Sequence, residues 1–159
     1  MAGYEPVIRS DVLSAVPQGS IHPRHSARMA QVRSTGNATT ELRLVALFRA
    51  FGIRGWRRQS ALFGKPDFEF RRERVLLFVD GCFWHGCPRH ATFPAIRSEW
   101  WAEKLARNKT HDRAVTRKLR ASGWRVIRVW ECALRPKRQL TTLRRIARAL
   151  ISARSRLSP

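Results

Sequence analysis

Acidic side chains are scarce in this chain of 159 residues: 11 Asp and Glu stand against 32 Lys and Arg, for a net charge of +21. That imbalance predicts a polyanionic partner, because basic side chains release counterions from phosphates, and nucleic acid is the first candidate. An arginine-rich genome composition would account for the arginine excess alone, but not for the missing acids. Also missing is any apolar run long enough to cross a bilayer, and residues Met1 to Ser20 hold no basic region followed by an apolar one. No membrane partner is expected, and the expected location is cytoplasmic. Cysteine is confined to Cys82, Cys87 and Cys132, an odd number, which argues against a disulfide framework and leaves metal binding or inert burial. The length leaves little room for a second domain, and no internal repeat is visible.

What the chain does have is a regular succession of elements. Residues 1–23 mix Pro, Ser and Gly without sustained period and read as an irregular or mobile arm; residues 24–159 read as one domain. The basic segment from Arg24 to Arg33 suits a short helix laid against phosphates or a solvated helix face. After Asn37 or Thr39 as N-cap, Leu44, Leu47, Phe48 and Phe51 recur at helical spacing until Gly52. A turn through Gly64, Lys65 and Pro66 enters a short alternating strand, Asp67 to Phe70. The apolar run Arg74 to Asp80 then reads as a central strand buried on both faces. A long helix is indicated from Arg97 to about Ser122 by Trp101, Leu105, Asn108, Asp112, Val115 and Leu119. A strand, Trp124 to Trp130, follows, and a closing helix with Leu140, Leu143, Ile146, Ala147 and Leu150 inside and Arg144, Arg145 and Arg148 outside. Helix, strands, helix, strand, helix predicts an α/β sandwich around a mixed sheet.

Most of the unusual chemistry lies in the loop after the central strand. Cys82, Cys87 and His90 fall within nine residues, and Cys132 follows directly on the later strand. Two neighbouring strands could deliver all four to one point, where zinc accepts four such ligands tetrahedrally in a closed structural site. The spacing is not that of a standard zinc finger, and buried unligated thiols are the alternative. Acids that hold a divalent cation against a phosphate are few. Asp67, at the head of one strand, and Asp80, at the end of the next, suit that task as in Pro-Asp nucleases. The partner pattern of an acid, one residue and a lysine is absent, because Phe78 and Asp80 stand there. His85 is the natural replacement for that lysine, since an imidazole accepts a proton near neutrality. Asp112 could orient it and Glu41 could reach a metal's water shell, although each also suits a plain helix position.

The string Val79-Asp80-Gly81-Cys82-Phe83-Trp84-His85-Gly86-Cys87-Pro88-Arg89-His90 resembles the signature of very-short-patch-repair endonucleases. The resemblance takes in Arg28-Met29, Glu41 and Gly64 to Phe68 upstream. Downstream it takes in Glu99-Trp100-Trp101, Lys104, Asn108, Asp112, Gly123 to Val126 and Val129-Trp130-Glu131, so that roughly residues 24–135 are covered. It implies a restriction-endonuclease-like three-layer sandwich, a structural zinc, and magnesium-dependent nicking of duplex DNA on the 5' side of the thymine of a T:G mispair. On matching positions, Asp67 is the metal-binding acid, the Val79 main-chain carbonyl a second magnesium ligand, and His85 the general base. Glu41, Asp80 and Asp112 fall at supporting positions; some relatives carry His where Asp80 stands. Phe83, Trp84 and Trp101 become wedges entering the base stack, with Arg28 and Met29 as further DNA contacts. The expected setting is a monomer at the bacterial nucleoid, linked to a cytosine-5 methyltransferase, whose product deaminates to thymine, and to a repair polymerase. A sequence-specific nuclease of the same fold, or a zinc-stapled module that binds DNA without cutting it, are the competing expectations.

Overall fold

A β-strand buried on both faces needs a helix layer on each side, and this chain supplies them from its two ends and its middle. The computed structural model describes residues 39–91, 95 and 97–156, all within the structural unit Arg33–Pro159. The N-terminal arm, the segment Arg24 to Arg33 and Asn37 lie outside the described residues. The elements are α1 (Glu41–Ala50), β1 (Arg57–Arg58), β2 (Phe68–Phe70), β3 (Val75–Asp80), α2 (Ser98–Ala121), β4 (Arg125–Trp130), a 3-10 turn (Glu131–Leu134) and α3 (Pro136–Ser155). The sheet order is β1-β2-β3-β4. β1, β2 and β3 pair antiparallel, with Phe68 opposite Leu77, whereas β3 and β4 run parallel, with Asp80 opposite Trp130. A parallel pair needs a crossover, and α2 is that crossover.

Alternation along β3 divides the core. Val75 and Leu77 join Phe68, Phe70 and Val129 on one face, beneath Leu44, Val45, Leu47 and Phe48 of α1 and Leu143, Ile146 and Leu150 of α3. Phe48 anchors this layer, its ring edge-on to Phe68 at 5.3 Å and to Phe70 at 5.8 Å. Leu76 and Phe78 turn to the other face, with Val126, and meet Val115 and Leu119 of α2. The described residues thus form a mixed α/β structure with helices on both faces of a four-stranded sheet. Among the described residues, no helix is long and apolar enough to cross a membrane.

Four details differ from the sequence expectation. The first helix has Thr40 at its N-cap rather than Asn37 or Thr39, with no side-chain capping bond. Arg57 and Arg58, expected only to lead into a turn, form a two-residue strand opposite Glu69 and Phe68, a length too short to carry a period. In α3, Leu140 is 47% exposed and Ala147 only half-buried, while Thr142, Ala149 and Ala153 face inward. Pro136 starts that helix, and Thr142 in its second turn donates to the Ala133 carbonyl of the preceding 3-10 turn at 2.9 Å. In α2 the apolar face is buried at Leu105, Val115 and Leu119 but half-open at Trp101, Asn108 and Asp112, because part of that face looks onto the candidate site.

Candidate active site and metal-ligating loop

Asp67 enters from the turn before β2. Gly64 has φ +75°, and a Cβ there would overlap the Val115 side chain, so only glycine lets the turn lie against α2. One residue ahead of the ladder, Asp67 Oδ2 accepts the Val79 N–H at 2.7 Å, which ties the head of β2 to the end of β3. Burial raises its carboxyl to about 6; the Val79 N–H opposes that rise, while the nearby Glu41 and Asp80 carboxylates add to it and Arg128 reduces it. Glu41 is itself buried and bound by Arg58, with Nε and Nη2 each 2.6 Å from Oε1. Asp67 thus lies close enough to the Glu41 and Asp80 carboxylates to feel both charges, and such a buried carboxyl is a place where a cation is favoured.

One residue beyond Val79, Asp80 points to the α2 side of the sheet. There β4 supplies Arg128, on the same face by the parallel register of Phe78 with Arg128. Its Nε and Nη2 bond to the two oxygens of Asp80 at 2.7 and 2.6 Å, Nη2 lies 2.9 Å from Asp112 Oδ1, and its guanidinium rests 4.8 Å above the Phe78 ring. His85 Nδ1 meets Asp112 Oδ2 at 2.7 Å and lies 3.8 Å from Asp80 Oδ1. Burial works against a proton on His85, but the Asp112 hydrogen bond and the charges of Asp80 and Asp112 outweigh it, and the imidazole pKa is raised. Burial likewise pushes Asp112 upward, and its contacts with His85 and Arg128 bring it below the usual carboxylate range. With Nδ1 engaged, Nε2 is the ring nitrogen left to exchange a proton. Arg128 is the residue that sequence reasoning missed. Its signal was a charge among the apolar residues of a strand, two places before the strand's end, as Phe78 stands two places before Asp80.

The loop that carries His85 is held at several points. Cys82 N–H donates to Glu131 Oε2 at 3.3 Å, His85 N–H to the Gly81 carbonyl at 3.2 Å, and Asn108 Nδ2 to the Trp84 carbonyl at 2.8 Å. Cys82, Cys87, His90 and Cys132 converge, with all four ligand atoms within 4.8 Å of one another. Cys87 Sγ lies 3.8 Å from His90 Nδ1 and 3.9 Å from Cys132 Sγ. The three thiols are buried; burial and neighbouring sulfurs push Cys82 up to about 12, whereas backbone N–H groups and His90 outweigh burial at Cys87 and bring it down to about 7. Three sulfurs and an imidazole packed this tightly form a group that could hold a metal ion.

Phe83, Trp84 and Trp101 form one aromatic cluster, with ring centroids 5.0 Å (Phe83 to Trp101), 5.1 Å (Phe83 to Trp84) and 6.1 Å (Trp84 to Trp101) apart. All three are half-buried, outside the two main cores, and Trp100 meets Trp101 edge-to-face at 4.8 Å and is 45% exposed. Arg28 and Met29 lie outside the described residues.

With this geometry in place, relatives become informative. Residues 21–90 match the family described as DNA mismatch endonuclease Vsr. The chain is 38% identical over 112 residues to the DNA mismatch endonuclease Vsr of Escherichia coli (strain K12), covering 68% of this chain and 70% of that protein. It is 40% identical over 108 residues to the type II nicking enzyme V.XorIIP of Xanthomonas oryzae pv. oryzae, covering 67% and 78%. To the type II nicking enzyme V.NaeI of Lentzea aerocolonigenes it is 49% identical over 67 residues, covering 42% and 40%. The class these define is the DNA endonucleases of the nicking kind. Within that class, the chain belongs to the Vsr family.

Proposed function

We propose that this protein nicks duplex DNA on the 5' side of the thymine of a T:G mispair, as the first step of very short patch repair. The observation that carries the reading is the pair at one end of the sheet: an Asp67 carboxylate tied to the Val79 N–H and, in the loop that follows β3, the His85 imidazole held by Asp112 at 2.7 Å. Asp67 and the Val79 main-chain carbonyl would hold magnesium; the raised pKa of Asp67 and the crowding of acids around it fit a cation there. When bound, magnesium supplies polarisation of the scissile phosphate and charge neutralisation in the transition state. His85 takes a proton from the attacking water at Nε2, and Asp112 stabilises the resulting imidazolium through Nδ1–H. Glu41, clamped by Arg58, and Asp80, clamped by Arg128, are supporting residues whose charges are compensated by those arginines.

Zinc suits the Cys82, Cys87, His90 and Cys132 group. A tetrahedron with Zn–S near 2.3 Å has S–S edges of about 3.8 Å, close to the 3.9 Å between Cys87 and Cys132. These four residues would close the coordination sphere of a bound zinc, which would then hold the loop that presents Trp84 and His85. Phe83, Trp84 and Trp101 would enter the base stack beside the mispair, since a weak wobble pair costs less to distort than a matched one. Helices on both faces of the mixed sheet, with the acids at its end, suit a restriction-endonuclease-like architecture. The substrate chemistry links the enzyme to a cytosine-5 methyltransferase, because deaminated 5-methylcytosine is thymine opposite guanine.

The test is a magnesium-dependent nicking assay on labelled duplexes that differ only in a central T:G or C:G pair. Cutting of one strand at the mispair alone supports the reading. Equal cutting of the matched duplex points to a sequence-specific nuclease, and tight binding without cutting to a DNA-binding module; either overturns it.

A further inference from the structure

The candidate active site already contains a cation. Asp80, His85 and Asp112 present two carboxylates and an imidazole with their ligand atoms within 4.8 Å of one another, a donor set suited to a divalent ion. Arg128 occupies that space. Its fork is bidentate on Asp80, its Nη2 is shared with Asp112 at 2.9 Å, its Nη1 is 3.5 Å from the Asp112 carbonyl, and Phe78 lies beneath it at 4.8 Å. The Asp80 side chain is only 6% exposed, so this is no solvent-screened surface pair. Stripping one partner from a buried pair leaves an uncompensated charge.

We propose that Asp80, His85 and Asp112 form a latent divalent-cation site, which Arg128 keeps closed by supplying the positive charge itself. Arg128 is a positioning residue in this arrangement. It satisfies both oxygens of Asp80 and engages Asp112 Oδ1, which leaves Asp112 Oδ2 for His85 Nδ1. A guanidinium suits the task because it is planar, matches a carboxylate with two donors and stays charged at any pH at which the protein folds. An exchangeable ion at the same place would compete with Asp112 for the imidazole nitrogen. By closing the cluster, Arg128 confines divalent cations to the Asp67 side of the sheet end and keeps His85 a base rather than a ligand. The catalytic consequence rests on the nicking reading, whereas the cation chemistry stands apart from it.

The experiment counts Mn2+ in protein whose Asp67 position is removed by Asp67→Asn, using electron paramagnetic resonance and calorimetry, with folding checked by circular dichroism. Asp67→Asn alone is expected to bind no Mn2+ at the cluster. Adding Arg128→Gln, or Arg128→Met as the second neutral variant, should open a site for one Mn2+ per chain, and Asp112→Asn should abolish it again. If either neutral variant is too unstable alone, Mn2+ should restore its folding or raise its Tm, since a ligand of the native state stabilises it, while the parent Tm stays put. Arg128→Lys, which keeps the charge, should stay free of Mn2+. Uptake by Asp67→Asn alone that Asp112→Asn abolishes, or no uptake by both neutral variants with Mn2+ present, overturns the proposal. In the Asp67 background, Arg128→Lys should lower kcat with KM unchanged; a chain that nicks nothing would count against the proposed function and leave the Mn2+ result standing.

Discussion

Replacing Asp112 by Asn keeps the shape of the side chain and removes its charge, which isolates what the carboxylate does for His85. Two short contacts are affected: Nδ1 of His85 at 2.7 Å and Nη2 of Arg128 at 2.9 Å. A hydrogen bond to a charged group is worth roughly 1.5–3 kcal/mol. The Asp112 and His85 side chains are 20% and 30% exposed, so solvent screening places this one near the lower half, at about 2 kcal/mol. That contact is strongest when the imidazole carries the proton taken from water, so its loss falls on the transition state and slows nicking by about 30-fold. The sign of the pH effect is opposite to the rate effect. Asp112 contributes the largest upward push on the His85 pKa, so the variant's pKa falls and its base form persists to lower pH. The same link affects stability: the raised His85 pKa stabilises the native fold fully below about 6.5 and loses that contribution as pH rises through the folded value. The assay is single-turnover nicking of a T:G duplex at saturating magnesium from pH 5 to 9, with Tm measured in parallel. A variant that nicks within threefold of the parent at pH 7.5, with its acidic limb unmoved, would refute the coupling of Asp112 to His85.

Cys132→Ala removes one of four converging ligands; structural zinc contributes about 10–16 kcal/mol to small domains, as much as a whole domain's net stability. The variant should therefore lose zinc by elemental analysis and lose its cooperative melt, and a zinc-free variant with an unchanged Tm would contradict the structural role. Asp67→Ala should abolish nicking and leave duplex affinity intact or tighter, measured by anisotropy, because a negative charge facing phosphate is gone. With Asp67 in place and magnesium below saturation, nicking should fall as pH drops through about 6, because a proton then competes with the cation for a carboxyl that burial holds near that value; a rate limb at the ordinary carboxylate range would count against this. Trp84→Ala should cut the preference for T:G over matched duplex by about tenfold, since one stacked ring is worth roughly 1–3 kcal/mol. Its main-chain link to Asn108 keeps the loop in place, so an unchanged preference would assign the ring to packing.

The elements with a period were legible in the chain before any fold was known. α1, α2, β3 and β4 follow from apolar repeats, because a helix or strand that buries one face must repeat at 3.6 or 2 residues and one buried on both faces must be continuously apolar. The loop from Cys82 to His90 was legible for a different reason: its ligand types are rare in this chain and close together. Pairings across the sheet were not legible. Arg57 and Arg58 are too short to show a period, and they form a strand only because β2 offers its open edge. The Asp67 bond to the Val79 N–H depends on antiparallel register, which residue order does not show. Arg128 shows the division most sharply. Sequence alone presents it as one arginine among many, whereas the parallel register of β3 with β4 brings it beside Phe78, on the face where Asp80 and α2's Asp112 converge. Local spacing determined which segments are helix and strand and which residue types carry chemistry. Only the tertiary structure decided which charges neutralise one another, because Coulomb and hydrogen-bond energies depend on distances that residue order does not encode.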